Sequence, residues 1–188
     1  ATVPRVLEKN TIDFATSAAT NVVNQIKLIR GYYTKNVIKD VKASTDISPG
    51  IDHKDDPSVI PLPATFVHDV SSLLVGQGLS LSLYSAYPFP GRADREMDSF
   101  MKEAWEYLSA NPEGTFKRRE VSNGETHLRV AVADRMVAEG CVSCHNAHPD
   151  TPKSDWQVGD VRGVLEVREN IQAPLAAANT LTRNILIG

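Results

Sequence analysis

Apolar residues recur along the first forty positions at Ile12, Ala15, Ala19, Val22, Ile26, Ile29, Tyr33 and Val37. The steps are mostly three and four, which places these side chains on one stripe of a helix, close to a heptad repeat. Pro4 suits the first turn of such a helix. At about 1.5 Å per residue, Ile12 to Val37 would span on the order of 40 Å, long for a compact domain. The stripe predicts a helix facing the domain's own core; the alternative is a signalling or dimer helix leading out of it.

The pattern breaks over 44–63, where Pro49-Gly50, Asp55-Asp56-Pro57, Pro61 and Pro63 predict a loop. A second helix is predicted from Ala64 to about Val75, closed by Gly76 and Gly78. Leu79 to Tyr84 alternates strictly, the signature of a half-buried strand. A turn-rich loop over Tyr87–Arg92 precedes a third helix, from about Ala93 to Ala110. That helix carries Met97, Phe100, Met101, Ala104, Trp105 and Leu108 on one face. Phe116–Val121 and Thr126–Ala133 flank Asn123-Gly124, a pair that accepts positive φ and predicts a tight hairpin. In the second of these strands Leu128, Val130 and Val132 face one way, and His127, Arg129 and Ala131 the other. A loop over 140–159, a strand over Val161–Val167 and a helix from Pro174 to Ile187 complete the chain.

This order predicts an α+β fold, an antiparallel sheet with helices on one side. The chain reads as one domain: a long helix over 1–43, a core over 44–168 and a final helix over 169–188. By analogy at the level of fold alone, a long helix leading into a small sheet suits PAS-like, single-Cache sensor architectures. Apolar character rises through Ile185-Leu186-Ile187-Gly188, from which a membrane segment just beyond is expected.

Composition narrows the function classes. The 188 residues are 41% hydrophobic and 23% charged, ordinary for a globular domain. Twenty Lys and Arg against 23 Asp and Glu give a net charge of −3, without the basic excess of a nucleic-acid binder. No apolar run approaches the roughly 18 residues of a membrane span. No signal-peptide pattern is visible, as expected of a mature or trimmed product. The chain carries no nucleophile elbow, phosphate loop or H-E-x-x-H segment, so no enzyme is expected. The acidic cluster Asp52, Asp55 and Asp56 lacks EF-hand spacing and reads as a solvated loop.

The two cysteines change the picture. Cys141-Val142-Ser143-Cys144-His145 is a C-x-x-C-H segment, the attachment signature of haem c. Two thiols two residues apart suit the two vinyl groups of one porphyrin, and the adjacent His145 suits the proximal iron position. Two rivals use the same residues. One is a disulfide or dithiol between Cys141 and Cys144. The other is a zinc site from Cys141, Cys144, His145 and His148, four ligands cramped into eight residues. Haem c implies attachment outside the cytoplasm, in a periplasm, where a bare C-x-x-C would be oxidised.

Several further runs carry a family resemblance. They are Ile60–His68, Leu83–Pro90, Arg129–Met136, Cys141–Pro149, Pro152–Trp156 and Gly159–Val167. The chain resembles, from about Ile26 to Val167, bacterial periplasmic c-haem sensor domains of PAS or Cache-like fold. Such domains stand in front of adenylate cyclases, histidine kinases and chemoreceptors, and some are stand-alone haem proteins. The resemblance implies one covalent haem, sensing of redox state or a small diatomic ligand, and signalling through the terminal helices of a membrane-anchored parent. It also implies pairing through the first helix as a homodimer. The alternative function is a periplasmic electron-transfer cytochrome.

Some relatives take the distal iron ligand from the first helix, but here that helix has no Cys, His or Met. The distal candidates are His68 and Met136, with His127, His148, Met97, Met101, Tyr32 and Tyr33 behind them, or an open position. Haem propionates need cations or donors; Arg30, Arg129, Arg135, Arg162, Lys153 and Trp156 are the candidates. Tyr33 is expected to cover the pocket from the first helix, and Tyr84 and Tyr87 to wall it or pack in the core.

Overall fold

The structure is a computed structural model that describes residues 3–187. The side chains from Ile185 onward, and the membrane segment expected beyond them, lie outside what is described. No helix among the described residues is long and apolar enough to cross a membrane.

The long helix forms, but in three pieces. Helix α1 covers Val3–Tyr32, a π-helical turn follows over Tyr33–Ile38, and α2 covers Lys39–Ser44. Ala15, Ala19 and Ile26 are buried as the stripe requires, but Val23 rather than Val22 is fully buried and Ile29 is 51% exposed. The wider π turn takes in an extra residue per turn and rotates the stripe, so Ile38 rather than Val37 is buried. The stretch read as a loop over 44–63 holds two short parallel strands, β1 (Ser48–Gly50) and β2 (Val59–Pro61). Helix α3 (Pro63–Leu74) starts with Pro63 in its first turn.

Four strands make the main sheet: β3 (Leu79–Tyr84), β4 (Thr115–Ser122), β5 (Glu125–Arg135) and β6 (Val161–Asn170). Their order is β3-β6-β5-β4, antiparallel throughout. The β4–β5 hairpin turns at Asn123 and Gly124, φ 54° and 79°, the positive values its sequence predicts. At the far end of the sheet β6 passes very close to β3. A Cβ on Gly163 would sit 2.9 Å from the Tyr84 carbonyl oxygen, so only glycine fits there.

The architecture is α+β, with a correction. Helices cover both faces of the sheet, not one. The face carrying Leu81, Leu128, Val130, Val132, Leu165 and Val167 packs against α1 and α3. The opposite face, with Ala131, Ala133 and Val164, packs against Phe100, Ala104 and Leu108 of α4 (Ser99–Ala110). Because both faces are buried, the polar face of β5 had to be neutralised in place. Arg129 and Glu166 face each other there, 4% and 2% exposed, with Nε donating to Oε1 at 2.6 Å.

Helix α4 starts at Ser99, six residues later than read from the sequence, because Asp98 caps it. The Asp98 Oδ1 accepts from the Met101 N–H at 2.8 Å, and Oδ2 accepts from Arg129 at 2.7 Å. Partial burial works against the Asp98 charge, but these hydrogen bonds outweigh it and hold the carboxyl below its ordinary value. Asp98→Ala is expected to cost about 1–2 kcal/mol, read as a lower urea midpoint. A carboxyl with a lowered folded pKa stabilises above its unfolded value and stops doing so as it is protonated. The wild-type advantage over Asp98→Ala should therefore shrink as pH falls below about 4.

Helix α5 (Glu139–Ala147) occupies the first half of the stretch read as a loop, and α6 (Gln172–Ile187) closes the chain against α1.

Candidate functional site

Cys141, Cys144 and His145 all lie on α5. Positions i, i+3 and i+4 are neighbours on one helix face, so the helix gathers both thiols and the imidazole on one side. Both cysteines are free, Cys144 exposed and Cys141 half-buried. The helix begins where the Cys141 and Val142 N–H groups donate to the Ala138 carbonyl at 3.0 and 3.3 Å. Its other end is clasped by Asn146. The Asn146 Nδ2 donates to the Trp156 carbonyl and its Oδ1 accepts from the Trp156 N–H, both at 3.0 Å. This clasp ties α5 to the segment leading into β6 and sets Trp156, 4% exposed, beside it.

His145 stands against the sheet end. Arg162 Nε donates to its Nδ1 at 3.2 Å, and the Phe89 ring lies 5.7 Å away. Burial, followed by the Arg162 charge, lowers the imidazole pKa to about 4. At neutral pH the ring is uncharged, the form a metal requires, and its one lone pair, on Nδ1, accepts from Arg162.

The long helix reaches the same end of the sheet. Arg30 pairs with Asp134, and Lys27 Nζ donates to the Ala133 carbonyl at 3.0 Å. In the π turn, the Tyr33 hydroxyl donates to the Pro61 carbonyl at 2.7 Å, and its ring stacks on Phe66 at 5.3 Å. Arg30 and Asp134 both act electrostatically on His145, which places them around the same group.

The other sequence candidates divide. Arg162, Trp156 and Lys153 are drawn together near α5, with the Arg162 and Lys153 charges 5.4 and 4.8 Å from the Trp156 ring. Tyr87 meets Trp156 edge-on at 5.4 Å. Arg135 pairs with Glu113 and donates to the Gly159 carbonyl at 2.9 Å. Arg129 belongs to the ion pair under α4, and Tyr84 packs in that same layer.

Among the distal candidates, His68 on α3 is half-buried, and its Nε2 accepts from Arg95 at 2.9 Å. Burial, then the charges of Arg92 and Arg95, lower its pKa to about 4. Met136 is buried, its backbone paired with Gly159 and Asp160. His148 is exposed against Phe89, His127 lies beside Glu125 on β5, and Tyr32 is exposed.

Sequence reasoning passed over three groups. Arg92 and Arg95 converge on α3, where Arg92 donates to Thr65 Oγ1 at 3.0 Å. In the sequence Arg92 ends a turn-rich loop and Arg95 falls in the first turn of the helix predicted from Ala93, and no spacing signal marks either. The Nε2–H of His53, in the segment between β1 and β2, donates to Asp69 Oδ2 at 2.8 Å, while its Nδ1 is buried without a partner among the described residues.

The lowered values have a testable consequence in the bare polypeptide. His68 and His145 should stay neutral at pH 7 and titrate near pH 4 by histidine NMR. A base whose pKa falls on folding contributes stability above its unfolded value of 6.5 and loses it progressively toward 4. Stability should therefore fall with pH across that window. NMR midpoints near 6.5 would contradict the burial of these rings.

The Tll0287-like family model matches residues 8–169, from α1 to the end of β6. No curated protein matches the chain.

Proposed function

The chain belongs to the Tll0287-like family, and from that membership we propose that it is a sensor domain holding one covalent haem c on α5. The carrying observation is the shared helix face of Cys141, Cys144 and His145. Family membership is compatible with a haem-binding sensor domain.

The donor set fits that group. Two free thiols, one turn apart and accessible, can each add S–H across a vinyl group, forming a thioether with no leaving group. His145, neutral at pH 7, can offer a ring nitrogen to the iron from the same face. Haem held there supplies a one-electron iron couple and a coordination position for a small ligand. Asn146 fixes the angle of α5 through its clasp on Trp156. The zinc alternative lacks this support, since no three His, Cys, Asp or Glu side chains among the described residues converge as a metal cage requires.

A sensing role finds support in where α1 runs. Arg30 and Tyr33 touch the site's surroundings, and the same helix packs on α6 at its other end. The π turn beside Tyr33 is the kind of local departure from α-helix that often sits at functional positions. In our reading a change at His145 reaches Asp134 and Arg30 and is carried by α1 toward a membrane-anchored parent in a periplasm. The second reading, an electron-transfer cytochrome, predicts no such movement.

Reduced and oxidised holoprotein, with and without carbon monoxide, separate the two. The sensor reading expects a Soret shift on adding carbon monoxide, or altered hydrogen exchange across 27–38 between redox states. A reduced spectrum unmoved by carbon monoxide, with identical exchange in the two redox states, would favour the electron carrier.

A further inference from the structure

Three arginines, Arg162 beside α5 and Arg92 and Arg95 against α3, hold no hydrogen-bonded carboxylate among the described residues. Arg162 donates only to Ser85 Oγ, at 2.8 Å, and to His145 Nδ1. Arg92 donates to Thr65, and Arg95 contacts His68. They are close enough to repel one another: Arg92 acts on Arg162, and Arg95 on Arg92. By contrast Arg30, Arg118, Arg119, Arg129 and Arg135 each hold an acid. Arg92 and Arg162 are partly buried and Arg95 is exposed; Asp134 acts favourably on Arg162 but makes no hydrogen bond to it, and Arg92 has no acid, so an anion would complete the cluster. Burial, the larger cause, and the Arg95 charge lower the pKa of Arg92.

A second observation points the same way. Trp156 is 4% exposed, and its Nε1–H is buried with no acceptor. Orphaned buried donors are uncommon and call for a partner. The Arg162 guanidinium lies 5.4 Å from that indole ring. A histidine that ligates through Nε2 carries its proton on Nδ1, which cannot then accept from Arg162. Ligation by His145 would thus release the Arg162 Nε for another acceptor.

We propose that Arg92, Arg95 and Arg162, with the Trp156 N–H, form the carboxylate-binding subsite that receives the two haem propionates. This rests on the covalent-haem reading. The guanidinium fork suits carboxylates, and the cationic cluster balances the two negative charges they bring. Cations near the iron also favour its less positive, reduced state.

The test uses holoprotein made with cytochrome c maturation, carrying Arg92→Gln and Arg162→Gln singly and together. Haem content is read as pyridine haemochrome, the midpoint potential by spectroelectrochemistry, and the propionate bending bands by resonance Raman. Covalent haem should stay at wild-type level in every variant. The double variant should shift toward the oxidised form, roughly tenfold in the oxidised-to-reduced ratio at fixed potential. Its propionate bands should move, and Trp156→Phe should move one of them. Arg92→Lys and Arg162→Lys, which keep the charge and lose the fork, should restore the potential but not the bands, and they serve if the glutamine pair does not fold. The exposed Arg119→Gln should leave both unchanged. Wild-type potential and bands in the arginine variants, with haem attached, would overturn the subsite alone. Absence of covalent haem from the wild type would overturn the haem reading and the subsite with it.

Discussion

Replacing Cys141 and Cys144 by alanine should remove all covalently bound haem and leave the fold in place. Neither side chain belongs to the two apolar clusters of the core, and Cys144 is exposed. Truncating such positions changes stability by about 0.5 kcal/mol either way. The thiols are also the only groups on α5 that can form a bond surviving denaturation. The intact mass of the denatured double variant should therefore be that of the bare polypeptide, with a urea midpoint matching wild-type apoprotein. His145→Ala is expected to behave differently: the thioethers remain, the mass still includes haem, and the iron spectrum changes. Haem retained by the double cysteine variant after denaturation would exclude attachment at Cys141 and Cys144.

Glu166→Ala should be the most destabilising single change, by about 3–5 kcal/mol. Glu166 and Arg129 are 2% and 4% exposed between the sheet and α4, joined by two parallel hydrogen bonds of 2.6 and 3.1 Å. The Arg129 guanidinium also lies over the Phe100 ring, 4.1 Å from its centroid. Burial raises the Glu166 carboxyl, with Arg129 opposing it. Burial likewise works against the Arg129 charge, but Glu166 and Asp98 outweigh it and raise the guanidinium pKa. Truncating Glu166 leaves that charge in a packed layer with only the more exposed Asp98 and Glu120 for partners. The cost is the desolvation of an orphaned charge rather than the worth of the pair. Removing both together, as Arg129→Met with Glu166→Leu, should accordingly recover most of the loss. Urea unfolding of the two variants measures both effects; a loss under about 1 kcal/mol for Glu166→Ala would contradict the burial of this pair.

Much of the sheet was legible because its signals are local. Alternation marked Leu79–Tyr84, and Asn123-Gly124 set the hairpin and the register of β4 on β5. The two-sided covering by helices was not legible. It depends on Arg129 and Glu166 neutralising each other across strands, and alone each reads as a solvent-facing charge. Helix α5 was missed for a related reason. Gly140 and the short polar run carry little periodicity, and the helix is held from outside by the Asn146–Trp156 clasp. The π turn moved burial from Val37 to Ile38, a change no heptad pattern announces. At the candidate site the C-x-x-C-H spacing was visible directly, since all three groups fall within one helical turn and a half. Arg92 and Arg95 were invisible because their meaning comes from lacking a carboxylate partner, which only the folded chain reveals.

The most direct test is the intact mass and absorption spectrum of the wild-type chain, produced with cytochrome c maturation and then denatured and extracted with acidic acetone. Covalent haem on α5 predicts a polypeptide heavier by one haem, with the Soret band staying in the protein fraction. A colourless polypeptide of unmodified mass, under conditions that mature a control cytochrome, would contradict it.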